Sequence, residues 1–348
     1  MRRSGLVPIL AVLSMVMASG AQAAPKWALV VHGGAGVIER SDLTAEQEAA
    51  YRAAMTRAAE TGAALLRDGG TALDAAEAVV KVLEDDPLFN AGRGAVFTAQ
   101  GKVELDAAIM DGRTLKAGAV AGVTRTRHPI SLARAVMERS PHVMMIGEGA
   151  DAFSLQSGLE QVEPGWFFTR RRWLALEKTL GAQRLPVPPA PPEVDQPDPA
   201  GGLAHDEGKR GTVGVVALDV RGDVAAATST GGVTAKRWGR VGDSPVIGAG
   251  TYASNASCAV SATGAGEYFI RLTVARDVCA LVELKGLSLQ AAVDEVVQDK
   301  LTKLGGDGGV IAVAPDGQIA WSYNTSGMYR AAVADGRPLS VGIYKDEP

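Results

Sequence analysis

Cysteine is nearly missing from this chain of 348 residues: there are two, Cys258 and Cys279. No Cys-x-x-Cys or His-Glu-x-x-His occurs, and the four histidines (His32, His128, His142 and His205) are scattered, which excludes a zinc site of ordinary spacing. Both cysteines lie in apolar stretches and read as buried free thiols, although an oxidising compartment would permit a bridge. Aromatic residues make up only 5%, no block of Lys or Arg occurs, and the net charge is −4, which argues against nucleic acid as a partner. There is no Gly-x-Ser-x-Gly elbow, and no pair of carboxylates stands out for glycoside hydrolysis. Long apolar runs are also lacking: Leu6 to Ala18 falls short of the roughly 20 residues that a membrane span needs, and no second run follows.

That one apolar run follows a basic head, Met1-Arg2-Arg3, and precedes Ala21-Gln22-Ala23, a small-x-small cleavage pattern. Residues 1–23 are therefore expected to be a signal peptide, with export to the periplasm and no membrane association after its removal. About 325 residues remain, enough for a sizeable core.

Ala28 to Val31 reads as a buried strand that ends in a Gly-rich turn, His32-Gly33-Gly34-Ala35-Gly36. That turn lacks the third glycine of a dinucleotide fingerprint and the Gly-Lys-Ser/Thr of a phosphate loop, so it is either a tight turn or the lining of a site. Helical spacing of apolar residues marks 44–67, 72–84, 130–138, 173–180, 264–284 and 288–304. Strands are expected at 103–110, 117–123 and 256–261, and as hairpins around Arg221-Gly222-Asp223 and between 309–313 and 318–323. Strands joined by hairpins, with helices clustered on either side, favour an α+β fold of antiparallel sheets covered by helices.

The most informative position is the junction Gly211-Thr212. Upstream, from about residue 181, runs a linker too rich in Pro, Gly and charge for helix or central strand; downstream, TVGVVALDV starts at once as an apolar strand. If the Gly211-Thr212 bond is broken, Thr212 carries both a hydroxyl nucleophile and a free α-amine. The reference pKa of that amine, about 7.7–8.0, lets it serve as a base without a histidine.

Three further motifs gain meaning from that threonine, and each also has a plain structural explanation. Thr230, in TSTGG, should lie beside Thr212 if the hairpin turns at Gly222. Arg240 and Asp243, in GRVGDSP, can grip the carboxylate and ammonium of an amino acid, but would look the same as a surface ion pair. Thr263 and Gly264, in TGAGE, can supply an oxyanion hole, but would look the same as an ordinary helix cap.

Taken in order, HGGAG, PLFNAGRGAVFT, ELDAAIMDG, SPHVMMIGEGA, GTVG, TSTGG, GRVGDSP, TGAGE and NTSGMYR resemble the plant-type asparaginase and isoaspartyl peptidase family of N-terminal nucleophile hydrolases. The resemblance spans nearly all of the chain past residue 23. It implies a four-layer αββα sandwich that cleaves itself before Thr212 into an α-subunit, 24–211, and a β-subunit, 212–348, which pair further as (αβ)2. It implies Thr212 as nucleophile, Thr230 as its hydroxyl partner, Thr263 and Gly264 as the oxyanion hole, and Asn90 beside the nucleophile. Arg240, Asp243, Gly264 and Gly266 would bind the aspartyl group, and no organic cofactor is needed. A structural sodium or potassium ion would sit on the backbone carbonyls of Leu83, Glu84, Asp86, Phe89, Ala91 and Arg93.

The implied activity is release of L-aspartate from β-aspartyl dipeptides and L-asparagine. Three rivals stay open. A glycosylasparaginase shares the nucleophile but should carry an Asn-Gly pair where Gly231-Gly232 stands. A threonine protease would not need Asp243. An inactive periplasmic protein that binds aspartyl compounds would keep Arg240 and Asp243 but has no use for Gly211-Thr212.

Overall fold

The computed structural model describes residues 26–195 and 211–347. The expected signal peptide and the linker from 196 to 210, His205 included, lie outside the described residues.

Among the described residues, twelve strands build two sheets. The larger has the order β12-β11-β1-β5-β6-β2-β3-β4 and the smaller the order β10-β9-β8-β7. The central strands of the large sheet are β1 (Ala28–Gly36), β5 (Val213–Leu218), β6 (Val224–Thr230) and β2 (Leu105–Asp111). Outside them lie β3 (Ala117–Val123) and β4 (Met144–Ile146) on one edge, and β11 (Gly327–Ala334) and β12 (Arg337–Tyr344) on the other. The small sheet consists of β7 (Thr251–Ala253), β8 (Ala259–Gly264), β9 (Gly308–Val313) and β10 (Ile319–Tyr323). All pairings are antiparallel except β3 with β4, which is parallel and so departs from the wholly antiparallel expectation.

Period-2 alternation sorts the side chains into layers. On β1, Leu29 and Val31 face one apolar cluster while Ala28 and Val30 face another. On β5, Val213, Val215 and Ala217 join the first, Val216 and Leu218 the second. On β9, Ile311 and Val313 meet that second cluster from the opposite sheet, and Val310 and Ala312 turn to a third. Three apolar layers separate four layers of structure, helix, sheet, sheet and helix, which is the expected sandwich.

Helices α1 (Ala45–Arg67), α2 (Ala72–Asp85) and α3 (Pro129–Arg139) cover the outer face of the large sheet. Thr44 caps α1 in a reciprocal box with Gln47, and Thr71 caps α2 through Asp74 N–H, each contributing on the order of 1 kcal/mol. The buried face of α2 reads Ala72, Ala75, Ala76, Val79, Val80 and Leu83, a helical stripe. At Gly62 a Cβ would lie 2.6 Å from Val79 and 2.8 Å from Leu29, so only glycine lets α1 settle this closely. Two further helices, α4 (Gly147–Gln156) and α5 (Arg170–Ala182), complete this side; α4 has no counterpart in the sequence expectations.

The small sheet is covered by α6 (Gly266–Leu272), α7 (Val274–Lys285) and α8 (Leu289–Asp294). The last continues through a π-helical segment, Glu295–Leu301, into α9 (Thr302–Leu304). The single helix expected over 264–284 is broken at Thr273, whose φ of 49° is left-handed.

Cys258 and Cys279 form a disulfide between the start of β8 and α7, with Cα atoms 5.4 Å apart. The expectation of free thiols is thereby corrected. Both side chains belong to the apolar layer between the small sheet and its helices, and the chain turns back after 21 residues to bring them together. Among the described residues no helix is long and apolar enough to cross a membrane.

Candidate active site

The gap between the sheets changes character along its length. At one end it is filled by Ala28, Val30, Val216, Leu218, Val224, Ala226, Ile311 and Val313. At the other end the same alternating positions carry His32, Thr212, Thr228, Thr230, Asp106, Ser261 and Thr263, every one of them buried. The polar end is the candidate site.

The β5–β6 hairpin sets its centre. Gly222, at φ 84°, takes the turn, and Asp219 carboxylate accepts from Arg221 and Asp223 N–H. With Val213 opposite Ser229, the register brings Thr212 beside Thr230, and their hydroxyls lie 3.1 Å apart. Thr230 Oγ1 also accepts from Gly232 N–H at 3.0 Å, which orients it toward Thr212.

The Gly-rich segment is not a turn. Strand β1 continues through it to Gly36, with a bulge between His32 and Gly34. At Gly34 a Cβ would lie 2.8 Å from Gly211 Cα, so this backbone passes directly against the Gly211-Thr212 bond. Ala35 N–H donates to Thr263 Oγ1 at 3.4 Å. Asn90 approaches from the other side: its Nδ2 donates to Gly232 carbonyl at 2.8 Å, its Oδ1 accepts from Val96 N–H at 2.9 Å, and a Cβ on Gly211 would touch it at 3.4 Å.

Thr263 and Gly264 are the last rungs of β8, paired with Gly309 and Gly308, and α6 starts only at Gly266. They thus end a strand instead of capping a helix. Thr263 shares the inter-sheet face with Ser261, on the far wall from Thr212.

Arg240 and Asp243 converge at the same end. Arg240 is held side-on by Glu267, Nε donating to Oε1 at 2.9 Å and Nη2 to Oε2 at 3.0 Å. Its Nη1 lies beside Gly242 and Gly232, where Cβ atoms would come to 2.7 and 3.6 Å. Asp243 is 4% exposed, and its Oδ2 has no hydrogen-bond partner among the described residues. Burial pushes its carboxyl up to about 7, with Arg240 drawing it down and Glu267 and Asp106 raising it. Gly266 completes the corner: a Cβ there would sit 2.9 Å from both Arg240 Nη2 and Asp243 Oδ1.

The family model for asparaginase matches residues 25–343. The chain belongs to the asparaginase family. Within it, the chain is 50% identical over 322 residues to an isoaspartyl peptidase of Escherichia coli, covering 92% of this chain and 97% of that one. It is 42% identical over 327 residues to a probable isoaspartyl peptidase/L-asparaginase 2 of Arabidopsis thaliana, covering 92% and 99%. A plant-type L-asparaginase of Pyrococcus furiosus is 43% identical over 312 residues, covering 89% and 97%.

Sequence reading of this asparaginase-family site leaves out three charged groups. Glu267 reads only as a first-turn acid of a helix, yet it holds Arg240. Asp106, opposite Thr230 on β2, is fully buried; its Oδ1 accepts from Gly122 N–H at 2.9 Å, and burial raises its carboxyl above the usual range. Lys236 is buried too and donates to Glu104 carbonyl at 2.9 Å. A charge at a buried position of a strand whose other buried residues are Leu, Ala, Ile and Met is the signal that marks Asp106. Trp238 lies outside the cluster, 90% exposed at φ 59° with Arg237 stacked on it at 4.6 Å. Arg93 stacks on Trp166 at 5.7 Å.

The expected ion loop runs from the end of α2 through Arg93. Glu84 carbonyl accepts from Arg93 N–H at 2.7 Å and Asp86 carbonyl from Phe89 N–H at 3.2 Å. At Gly94, φ 104°, a Cβ would lie 2.8 Å from Phe89 carbonyl, and at Gly92 it would strike Glu84 carbonyl. The two glycines therefore admit a close convergence of main-chain oxygens. Among the described residues no group of three or more His, Cys, Asp or Glu could hold a metal ion.

Proposed function

We propose that this chain is a hydrolase that releases L-aspartate from β-aspartyl dipeptides and L-asparagine, after cutting itself between Gly211 and Thr212. The observation that carries the reading is the pair of hydroxyls at Thr212 and Thr230, 3.1 Å apart beside Gly211, at the same end of the gap as a buried Asp243 carboxylate whose Oδ2 has no hydrogen-bond partner among the described residues.

In this mechanism Thr212 Oγ1 attacks the Gly211 carbonyl, and hydrolysis of the ester that forms leaves Gly211 as a carboxylate and Thr212 with a free α-amine. The substrate's α-carboxylate then meets Arg240 and its α-ammonium meets Asp243. Thr212 attacks the side-chain carbonyl, Thr230 polarises the attacking hydroxyl, and Thr263 with Gly264 holds the oxyanion. The C–N bond breaks as the leaving amine takes a proton from the Thr212 ammonium. Water, deprotonated by the same amine, cleaves the β-aspartyl ester and frees L-aspartate.

The buried Asp243 carboxylate, with Oδ2 lacking a partner among the described residues, favours this reading over a threonine protease, whose peptide substrates have no free ammonium there. The two subunits, 24–211 and 212–348, with further pairing as (αβ)2, belong to the same proposal. Export to the periplasm is supported by the bridge between Cys258 and Cys279, which suits an oxidising compartment. A sodium or potassium ion on the carbonyls of Leu83, Glu84, Asp86, Phe89, Ala91 and Arg93 would pin the loop that carries Asn90.

The test is a panel of L-asparagine, several β-aspartyl dipeptides, α-linked dipeptides and glycosylated asparagine, scored by aspartate release. β-Linked dipeptides and asparagine should turn over and α-linked ones should not. Turnover confined to glycosylated asparagine would move the chain to the first rival.

A further inference from the structure

Behind Thr212 and Thr230, one residue deeper in the gap, lies a second row of polar side chains that the reaction above does not use. His32 Nε2 is 3.0 Å from Ser261 Oγ, Ser261 Oγ is 2.7 Å from Thr228 Oγ1, and Thr228 Oγ1 is 2.7 Å from Thr251 Oγ1. Thr251 Oγ1 in turn lies 3.1 Å from the carbonyl of Ser244, the residue after Asp243. All four side chains have no solvent exposure.

The row is an interdigitation of the two sheets. His32 and Thr228 belong to the large sheet, Ser261 and Thr251 to the small one, and they alternate along the row. On the large sheet Gly214 pairs with His32 on one side and Thr228 on the other. A Cβ at Gly214 would collide with both Ser261 Oγ and His32 Nε2. The missing side chain, two residues after Thr212, is what lets Ser261 reach across β5 and bridge its neighbours. Burying four polar groups in an apolar sandwich costs stability unless each is paired, and here each hydroxyl has partners on two sides.

The ends of the row fall at the two places where the reaction needs fixed geometry. His32 stands opposite Gly214 on β5, two residues past Thr212, with its Nδ1 lacking a hydrogen-bond partner among the described residues, and Ser244 adjoins Asp243. We propose that His32, Ser261, Thr228 and Thr251 are positioning residues that tie the nucleophile strand to the loop carrying Asp243, setting the separation between the attacking hydroxyl and the substrate's ammonium. That separation distinguishes a carbonyl at the β-position of an aspartyl group from one at the α-position. Burial lowers the His32 imidazole to about 3, with the Thr212 backbone only partly offsetting it, so the row keeps one charge state through the working pH range. The inference rests on Thr212 as nucleophile, and its test therefore reads self-cleavage as well as turnover.

Thr228→Val keeps the volume and removes the hydroxyl; Thr228→Ser keeps the hydroxyl. In the full chain, Thr228→Val should slow cleavage at Gly211-Thr212 and lower kcat on a β-aspartyl dipeptide by about tenfold or more, since small misplacements of reacting groups cost that much. KM should rise severalfold, the midpoint of thermal unfolding should fall modestly as Ser261 and Thr251 each lose one partner, and Thr228→Ser should restore both rates. Ser261→Ala should reproduce the Val variant. Val and Ser variants impaired equally, or a Val variant within twofold of wild type in both self-cleavage and kcat, would overturn the row's role. If wild type cleaves itself yet ignores aspartyl substrates, the proposed substrate class fails while the self-cleavage comparison still decides the row. A wild type that does neither overturns both.

Discussion

Glu267 grips Arg240 along the side of its guanidinium, through Nε and Nη2, and so leaves Nη1 turned toward Gly242 and Gly232. A side-on clamp fixes the plane of the guanidinium without using up its remaining donors. Glu267→Gln should therefore raise KM for L-asparagine by about five- to tenfold with kcat nearly unchanged, the pattern of lost binding that is equal in ground and transition states. Because the Glu267 side chain is 61% exposed, the pair contributes little to stability, and thermal melts of the two proteins should nearly coincide. A fall in kcat at constant KM would refute this role.

Asp243 supplies a pH dependence. Its carboxyl is pushed up to about 7 by burial, and only the ionised form attracts an ammonium. The value of kcat/KM for L-asparagine should fall steeply below about pH 7, as Asp243 and the Thr212 amine both take up protons, and Asp106→Asn should move the Asp243 limb to lower pH, since the Asp106 charge is one of the groups raising it. A profile that stays flat from pH 5 to pH 8 would show that Asp243 does not bind the substrate.

Glu84 supplies a stability dependence. Burial raises its carboxyl to about 8 from an ordinary value of 4.5, while Oε1 accepts from Ser229 Oγ at 2.6 Å and Ile130 N–H at 3.1 Å. The folded chain holds this proton more tightly than the unfolded chain does. Its contribution is thus complete below pH 4.5 and is lost as pH rises to about 8, at roughly 1 kcal/mol per pH unit. Relative to wild type, Glu84→Gln should gain stability across that window and level off above it, as read from denaturant unfolding at several pH values. Parallel curves would exclude Glu84 as the titrating group.

The two threonines separate by variant. Thr212→Ala should remain a single chain without activity, and Thr230→Val should lower kcat about a hundredfold while Thr230→Ser keeps most of it. Gel electrophoresis and N-terminal sequencing of the smaller piece check the first, and steady-state rates the second. An intact wild-type chain after long incubation would defeat the self-cleavage proposal.

The local signals of this fold were largely legible because they rest on turn chemistry and alternation. The spacing of apolar residues marks the helices at Ala45–Arg67 and Ala72–Asp85, and the hairpin at Gly222 brings Thr230 to Thr212 as its length implies. What escaped depends on contacts distant in sequence. The segment from His32 to Gly36 looks like a turn because its glycines hide a bulged strand, and those glycines are there to let Gly211 and Phe89 approach. The left-handed Thr273 interrupts a helix whose apolar spacing runs on through the break. The Cys258–Cys279 bridge follows from an α7 that folds back onto β8, which no spacing of two cysteines reveals. Asp106, Lys236 and Glu267 carry ordinary charges in sequence and gain their meaning only beside Thr230, Gly232 and Arg240.

In the large sheet, β5 and β6 from beyond Thr212 are flanked by β1 and β2 from before it, and β11 closes over β1 on the other side. A cut at Gly211-Thr212 would accordingly open the chain in the middle of a sheet in which the β11–β1, β1–β5 and β6–β2 pairings join one product to the other. Neither product could leave without stripping hydrogen bonds from both edges of its neighbour, so the pair would unfold as one cooperative body. Recovery after denaturation would differ sharply. The uncut chain can refold as a first-order process, but the cut protein must first reunite two fragments, with a rate that depends on concentration and a growing loss to aggregation. Cleavage would thus act as a one-way ratchet on folding: the active form inherits a topology that it can keep but cannot readily rebuild.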